Sequence, residues 1–246
     1  NPRSVPVYCE EHLPHPLLRP YIRCYFYISV ASAEFRFPAD GCPGFIVNLG
    51  DPFLMGFGDG RFKNLSGCQL FGASTRHLVT QHLSGQTKLL AVKFHPGQLP
   101  RFLGFPAVEL TDTSTSLEAI CGQLARQMEA RLDGNNALPR LVEQFDQALL
   151  ACLSHQHPYD ERISAALATI SRLRGQVRID SLAKSIDLGR RQFERRFREL
   201  VGLPPKKNVP HRPFSGSIFD AFRIARAGLG RARLCERVQR SSPSCP

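Results

Sequence analysis

No run of eighteen or more apolar residues occurs in this 246-residue chain, so no segment has the composition of a membrane-spanning helix. The opening residues NPRSVPVYCEEHLPH lack the apolar core of an export signal, and a cytoplasmic protein without membrane attachment is expected. The eight cysteines, at 9, 24, 42, 68, 121, 152, 235 and 245, include no C-x-x-C pair and no short-range framework, which argues against a zinc finger or a disulfide scaffold. Cys121 and Cys152, each within an apolar helical stripe, read as small buried residues. A phosphate-loop signature is missing, and Gly56, Gly58 and Gly60 do not open a helix after a strand as a dinucleotide fingerprint must. Neither internal repeats nor low-complexity tracts occur.

Catalytic constellations are equally sparse. A barrel metal site needs two or three imidazoles and a carboxylate converging inside. His77 and His82 are an odd number of residues apart and face opposite sides of a regular strand, while His95 reads as a surface or strand-end residue. His155 and His157, the only His-x-His pair, fall in an expected linker. Cys42, in Asp40-Gly41-Cys42-Pro43-Gly44, would need an activating base and oxyanion donors that a sequence does not show, and it reads as part of a turn. We therefore expect no enzyme, no metal and no cofactor.

What is there is a strong charge asymmetry in a chain of ordinary globular composition, 42% hydrophobic and 22% charged. Residues 1–156 carry 13 basic and 13 acidic side chains, whereas residues 157–246 carry 19 and 8, an excess equal to the whole net charge of +11. A neutral module joined to a basic one suits a protein that binds a polyanion with one end only.

The apolar pattern divides the chain further. Tyr25–Val30, Phe45–Leu49, Phe53–Phe57, Gln69–Phe71, Leu78–Leu83 and Leu89–Phe94 are short runs separated by turn signals, predicting antiparallel strands in a barrel or sandwich. From Leu117 the period becomes 3.6: Leu117, Ile120, Cys121, Leu124, Met128 and Leu132 share one face, as do Leu138, Leu141, Val142, Phe145, Leu149 and Cys152. These predict two antiparallel helices joined at Asp133-Gly134-Asn135, and a third helix follows over Glu161–Leu173.

Residues 178–207 predict two short helices and a tight turn. Ile179, Leu182, Ala183 and Ile186 form the buried stripe of the first, with Asp180 placed to cap it, and Leu188 points inward from the turn. Phe193, Phe197, Leu200 and Val201 form the apolar stripe of the second, leaving Arg191, Arg195 and Arg198 on the opposite side. Such an arginine face is suited to phosphates and to the O6 and N7 acceptors of guanine in the major groove of double-stranded DNA. Arg191 and Arg195 are expected to read bases, Arg190 and Gln192 to help near the helix start, and Arg198 to meet phosphate.

The run Leu182-Ala183, Leu188 to Glu199 and Val201-Gly202-Leu203-Pro204-Pro205-Lys206 resembles the first helix-turn-helix of the AraC-type bacterial transcription regulators. Asp40-Gly41-Cys42, Phe45 to Asp51 and Val92-Lys93-Phe94-His95-Pro96-Gly97 resemble a sensor domain found ahead of such DNA-binding domains. This resemblance implies a cupin-like barrel sensing a small-molecule effector or mediating homodimerisation. Asp187 and Gly189 stand where the family has a turn glycine and a capping serine; Asp tolerates a left-handed backbone, and Gly caps weakly. After Lys207 the family's linking helix and second helix-turn-helix have no counterpart here, and Pro210 and Pro213 interrupt any helix beginning there. A change of coding frame soon after Lys207 is the expected cause.

The expected class is α+β: a β-rich sensor-like domain over 1–115 and a helical pair over 116–156, then a helix-turn-helix over 157–207 and a poorly ordered basic tail over 208–246. Two other readings stay open on the residues alone, a cupin-like metalloenzyme with a basic appendage and a nucleic-acid binder without sequence preference.

Overall fold

The computed structural model describes residues 7–31, 35–37, 42–56, 62–65, 67–75, 78–81, 86–130, 137–153, 159–173, 175–205 and 234–235. The strands are β1 (Val7–His12), β2 (Ile22–Ala31), β3 (Phe35–Phe37), β4 (Gly44–Asn48), β5 (Phe53–Gly56), β6 (Phe62–Leu65), β7 (Cys68–Phe71), β8 (Leu78–Gln81), β9 (Gln86–Phe94), β10 (Ser114–Ser116) and β11 (Leu234–Cys235). Between β9 and β10 lie α1 (Leu99–Leu103) and a 3-10 turn, Ala107–Leu110. Five more helices follow: α2 (Leu117–Glu129), α3 (Leu138–Leu153), α4 (Glu161–Arg172), α5 (Ile179–Ser185) and α6 (Arg190–Val201).

β9 explains the core. Its residues Leu89 to Phe94 are buried on both faces, which is why they read as one apolar run rather than an alternation. It pairs antiparallel with β2 and β4, setting Val92 opposite Tyr25 on one side and Phe45 on the other. These three side chains, with Leu90, Phe94, Val47 and Leu70, meet Leu117, Leu124, Met128, Leu141, Phe145 and Leu149 from α2 and α3 in one cluster. The helical pair therefore shares its core with the sheet. Asp146 of α3 ties the two polar ends together, accepting from the Tyr25 hydroxyl at 2.7 Å and from the His15 N–H at 3.0 Å. Burial, followed by the charge of Asp146, pushes the Tyr25 phenol well above its ordinary range.

The strands do not close into a barrel among the described residues. A seven-stranded sheet runs β10-β7-β4-β9-β2-β1-β11, antiparallel except for the β1–β11 pair, and a separate four-stranded sheet runs β3-β8-β5-β6. The expected cupin-like barrel is replaced by two open sheets, because β8 pairs with β3 and β5 whereas β9 takes β2 and β4 as neighbours. Of the expected poorly ordered tail, only Leu234–Cys235 belongs to the described residues; the rest of it, and the expected α2–α3 link at Asp133-Gly134-Asn135, lie outside them.

Candidate nucleic-acid interface

The helix-turn-helix has its own buried cluster, built from Ile163, Ala166 and Ile170 of α4, Ile179, Leu182 and Ala183 of α5, Leu188 of the turn, and Phe193, Phe197, Leu200 and Val201 of α6. Phe193 and Phe197 are fully buried, their ring centroids 5.5 Å apart at 54°. Ile186 differs from its expected place on the stripe: it caps the C-terminus of α5 and is half-buried. Asp180 differs too. The N-cap of α5 is Arg178 without a side-chain cap, and Asp180 instead reaches Arg190 of α6 at 3.0 Å.

The turn works by two backbone devices. Asp187 adopts a left-handed conformation, φ +53°, where its short side chain is tolerated. Gly189 is the N-cap of α6, with extended φ and ψ and no side-chain hydrogen bond. A Cβ added at Gly189 meets nothing within 4 Å. Gly189→Ser should therefore add a cap without a clash and stabilise α6 by a few tenths of a kcal/mol; a small rise in the urea midpoint checks this, and a fall would show that serine disturbs the turn.

Opposite the phenylalanines, Arg190, Arg191, Gln192, Arg195 and Arg198 are all exposed along α6. Their surroundings are unequal. Arg190 is held by Glu194 and Asp180, both at 3.0 Å, which ties the start of α6 back to α5. Arg195 pairs with Glu199 at 3.2 Å on the surface, a contact worth about 0–1 kcal/mol and easily exchanged for another acceptor. Among the described residues no ion pair or hydrogen bond engages the side chains of Arg191, Gln192 or Arg198. Arg196, on the flank, is 2.8 Å from Asp160. That carboxylate also caps α4, accepting from the Arg162 and Ile163 N–H groups at 3.1 and 3.4 Å. Burial works to raise the Asp160 carboxyl, but Arg196 and the capping N–H outweigh it and hold it below the ordinary carboxylate range.

Sequence reasoning gave no sign of how this module is seated. Tyr159, just ahead of α4, accepts a hydrogen bond from Gln98 at 2.8 Å, and the Arg101 guanidinium lies 4.5 Å over the Tyr159 ring and 5.2 Å over that of Tyr21. At the far end of α6, Gly202 closes the helix with φ +87°, and its carbonyl accepts from the Thr111 hydroxyl at 2.7 Å. A Cβ at Gly202 would sit 3.0 Å from the Ala107 carbonyl oxygen, and one at Gly97 2.7 Å from Leu167 of α4. Residues 97–111, directly after the central strand, thus grip the module at both ends and leave the arginine face outward.

The other candidate residues lie apart from this surface or outside the described residues. No group of three or more His, Cys, Asp or Glu is placed to hold a metal there. His77, His82, His155 and His157 lie outside the described residues, as do Asp40, Gly41, Gly58 and Gly60. His95 follows β9, its Nε2 3.2 Å from the Arg19 carbonyl, and burial lowers its pKa. Cys42 is buried, 3.6 Å from an Arg23 nitrogen. No helix among the described residues is long and apolar enough to cross a membrane.

Residues 10–116 match a family described as a domain of unknown function (DUF6597). None of the curated proteins matches the chain. Among solved structures, the AraC-like transcriptional activator CuxR is 12% identical, with 72% of this chain and 70% of that one covered at a TM-score of 0.33. ToxT from Vibrio cholerae is 8% identical, covering 84% of this chain and 98% of its own at a TM-score of 0.27.

Proposed function

We propose that the chain is a DNA-binding transcription regulator of the AraC type, reading double-stranded DNA with α6. The observation that carries this is the outward face of α6, where Arg191, Gln192 and Arg198 have no engaged partner among the described residues while Phe193 and Phe197 anchor the opposite face. In a helix-turn-helix the N-terminal part of the second helix enters the major groove. Arg191 and Arg195, one turn apart, then address base edges, with Gln192 beside them, and Arg198, farther along, meets phosphate. Arg190, tied to Asp180 and Glu194, holds the helix start in place and adds positive field rather than a base contact. The N-terminal unit, whose core is continuous with the helical pair, senses a small molecule or joins two copies; no metal or cofactor is required for either role.

Residues 208–246 bear no likeness to a second helix-turn-helix, and seven arginines there face only two acidic residues. Translation of the other two frames past Lys207 tests whether a frame change put them there: finding no second helix-turn-helix in either would defeat that origin.

The functional test begins with selection of the preferred duplex from a random pool. On that duplex Arg191→Ala should cost about 1–3 kcal/mol and relax the preference at one or two base pairs. Arg198→Ala should weaken preferred and scrambled duplexes alike. Selection that enriches no sequence would instead favour an unselective nucleic-acid binder, and unchanged specificity in both Arg191→Ala and Arg195→Ala would defeat the base-reading assignment.

A further inference from the structure

The thiols lie on both sides of the seven-stranded sheet. Cys121 and Cys152 are half-buried among the helices on one side, short of the full burial that their stripes predict, whereas Cys24 is fully buried on the other. Strand register defines that other side. Cys24 stands opposite Lys93, Lys93 opposite Gly44, Gly44 opposite Phe71 and Phe71 opposite Ser114, so the five residues form one row across β2, β9, β4, β7 and β10 and share a face. The helix cluster takes the alternate residues Leu90 and Val92, which places the row on the side away from α2 and α3.

The four-stranded sheet covers this face: Met55 of β5 is buried, and Lys63 of β6 donates to the Ser114 carbonyl at 3.2 Å. Two residues of the row are foreign to an apolar interval between sheets. Lys93 is only 9% exposed, and its Nζ lies 5.2 Å from the Phe71 ring centroid, although strands two apart are ~9–10 Å distant. The side chain therefore leans along the row over Gly44, where an added Cβ would meet the Phe71 ring at 3.3 Å. Ser114 is 7% exposed, and its Oγ has no hydrogen-bond partner among the described residues. A buried hydroxyl in that position carries a cost that a bound acceptor removes. Burial and then Glu11 push the Cys24 thiol far up, while Arg23 and Lys93 pull it down. One acidic and two basic side chains thus lie close to Cys24, an excess of one positive charge.

We propose that the face carrying Lys93, Phe71 and Ser114 binds a small monocarboxylate with an apolar body, and that this is the effector class of the N-terminal unit. The inference rests on the sensing role proposed above for that unit. The carboxylate is met by the two donors that flank Phe71 on the row, the Lys93 ammonium and the Ser114 hydroxyl, a charge-assisted contact being the stronger of the two. Its body lies against the Phe71 ring and the buried side chains of Ile46, Ala91 and Met55. A phosphate ester fits poorly, because it brings up to about two negative charges and three acceptor oxygens to one excess positive charge. A neutral polyol fits no better, since the rest of this wall offers its hydroxyls no partner and their burial is unfavourable.

The test is calorimetric titration of the full chain, without DNA, using benzoate and hexanoate, each compared with its neutral amide, benzamide and hexanamide. At least one carboxylate should bind about tenfold or more tightly than its amide, and the arm that binds tells an aromatic body from an aliphatic one. Lys93→Met keeps the length of the stem and removes the charge, so acid and amide should bind it alike. Ser114→Ala should weaken the carboxylate by about threefold or more and leave the amide less affected. Absence of binding by both carboxylates at millimolar concentration overturns the proposal, as does an amide that binds as tightly as its acid. An undiminished preference for the acid in Lys93→Met overturns it too. Should that variant fail to fold, the ratio of acid to amide on the unsubstituted chain and its change in Ser114→Ala decide the matter. Because no DNA is present, loss of this effector class leaves base reading by α6 untouched, and a duplex selection that enriches nothing leaves the titration as it stands.

Discussion

Replacement of Phe193 or Phe197 by alanine is expected to destabilise the helix-turn-helix by about 3–5 kcal/mol. Both rings are fully buried, and they pack on one another as well as on α4 and α5. α5 contributes only Ile179, Leu182 and Ala183 as buried residues, so the two rings make up much of what holds α6 against it. Nor does the outer face compensate, because its ion pairs are exposed and individually weak. Amide hydrogen exchange separates this module from the sheet: protection should collapse along α5 and α6 and persist along β9. A loss below half a kcal/mol would mean that the two rings are not buried in solution.

The second large effect is on salt dependence. If the chain binds DNA as proposed, with the helix-turn-helix of the described residues and the seven arginines of residues 208–246, sequence-blind attraction to phosphate should outweigh base discrimination and binding should lie near ~10⁻⁴ to 10⁻⁶ M at physiological salt. If about four phosphates are neutralised, log K falls with log salt at a slope of about −3.6, and a fourfold rise in salt weakens binding about 150-fold. Removal of residues 208–246 should flatten that slope by about 0.9 for each phosphate that the tail had neutralised. The measurement is a salt titration on preferred and scrambled duplexes, with and without the tail. Nanomolar, selective binding by the intact chain would show that a single helix-turn-helix is sufficient.

The parts of the fold legible beforehand were those in which burial writes a repeating pattern. β2, β4, β5, β7, β8 and β9 lie on apolar runs, and α2, α3 and α4 on 3.6-residue stripes. β1 reads VYCEEH, β3 is three residues of FRF, and β6 is FKNL, so neither length nor alternation marks them. α1 was hidden for another reason: five residues with Pro100 at its start carry no period. Whether strands close into a barrel or stay as two sheets depends on edge pairing, which apolar runs do not encode. The arginine face of α6 was visible as a helical projection, but the ion pairs that divide Arg190 from Arg191 were not. Asp180 misled because an acidic residue in a first turn can cap, favour the dipole or reach across a turn, and only the position of Arg190 decides among these.

The grip of residues 97–111 on both ends of the helix-turn-helix has a consequence for biosynthesis. A unit of about fifty residues is marginal as an independent folder, and this one emerges from the ribosome after the central strand and its loop. Gln98, Arg101, Ala107 and Thr111 are already synthesised when Tyr159 and then Gly202 arrive. Domains fold as units, N-terminal ones first, as the chain grows. The sheet thus acts as a template, and α6 reaches its final stability only after the sheet and residues 97–111 have folded.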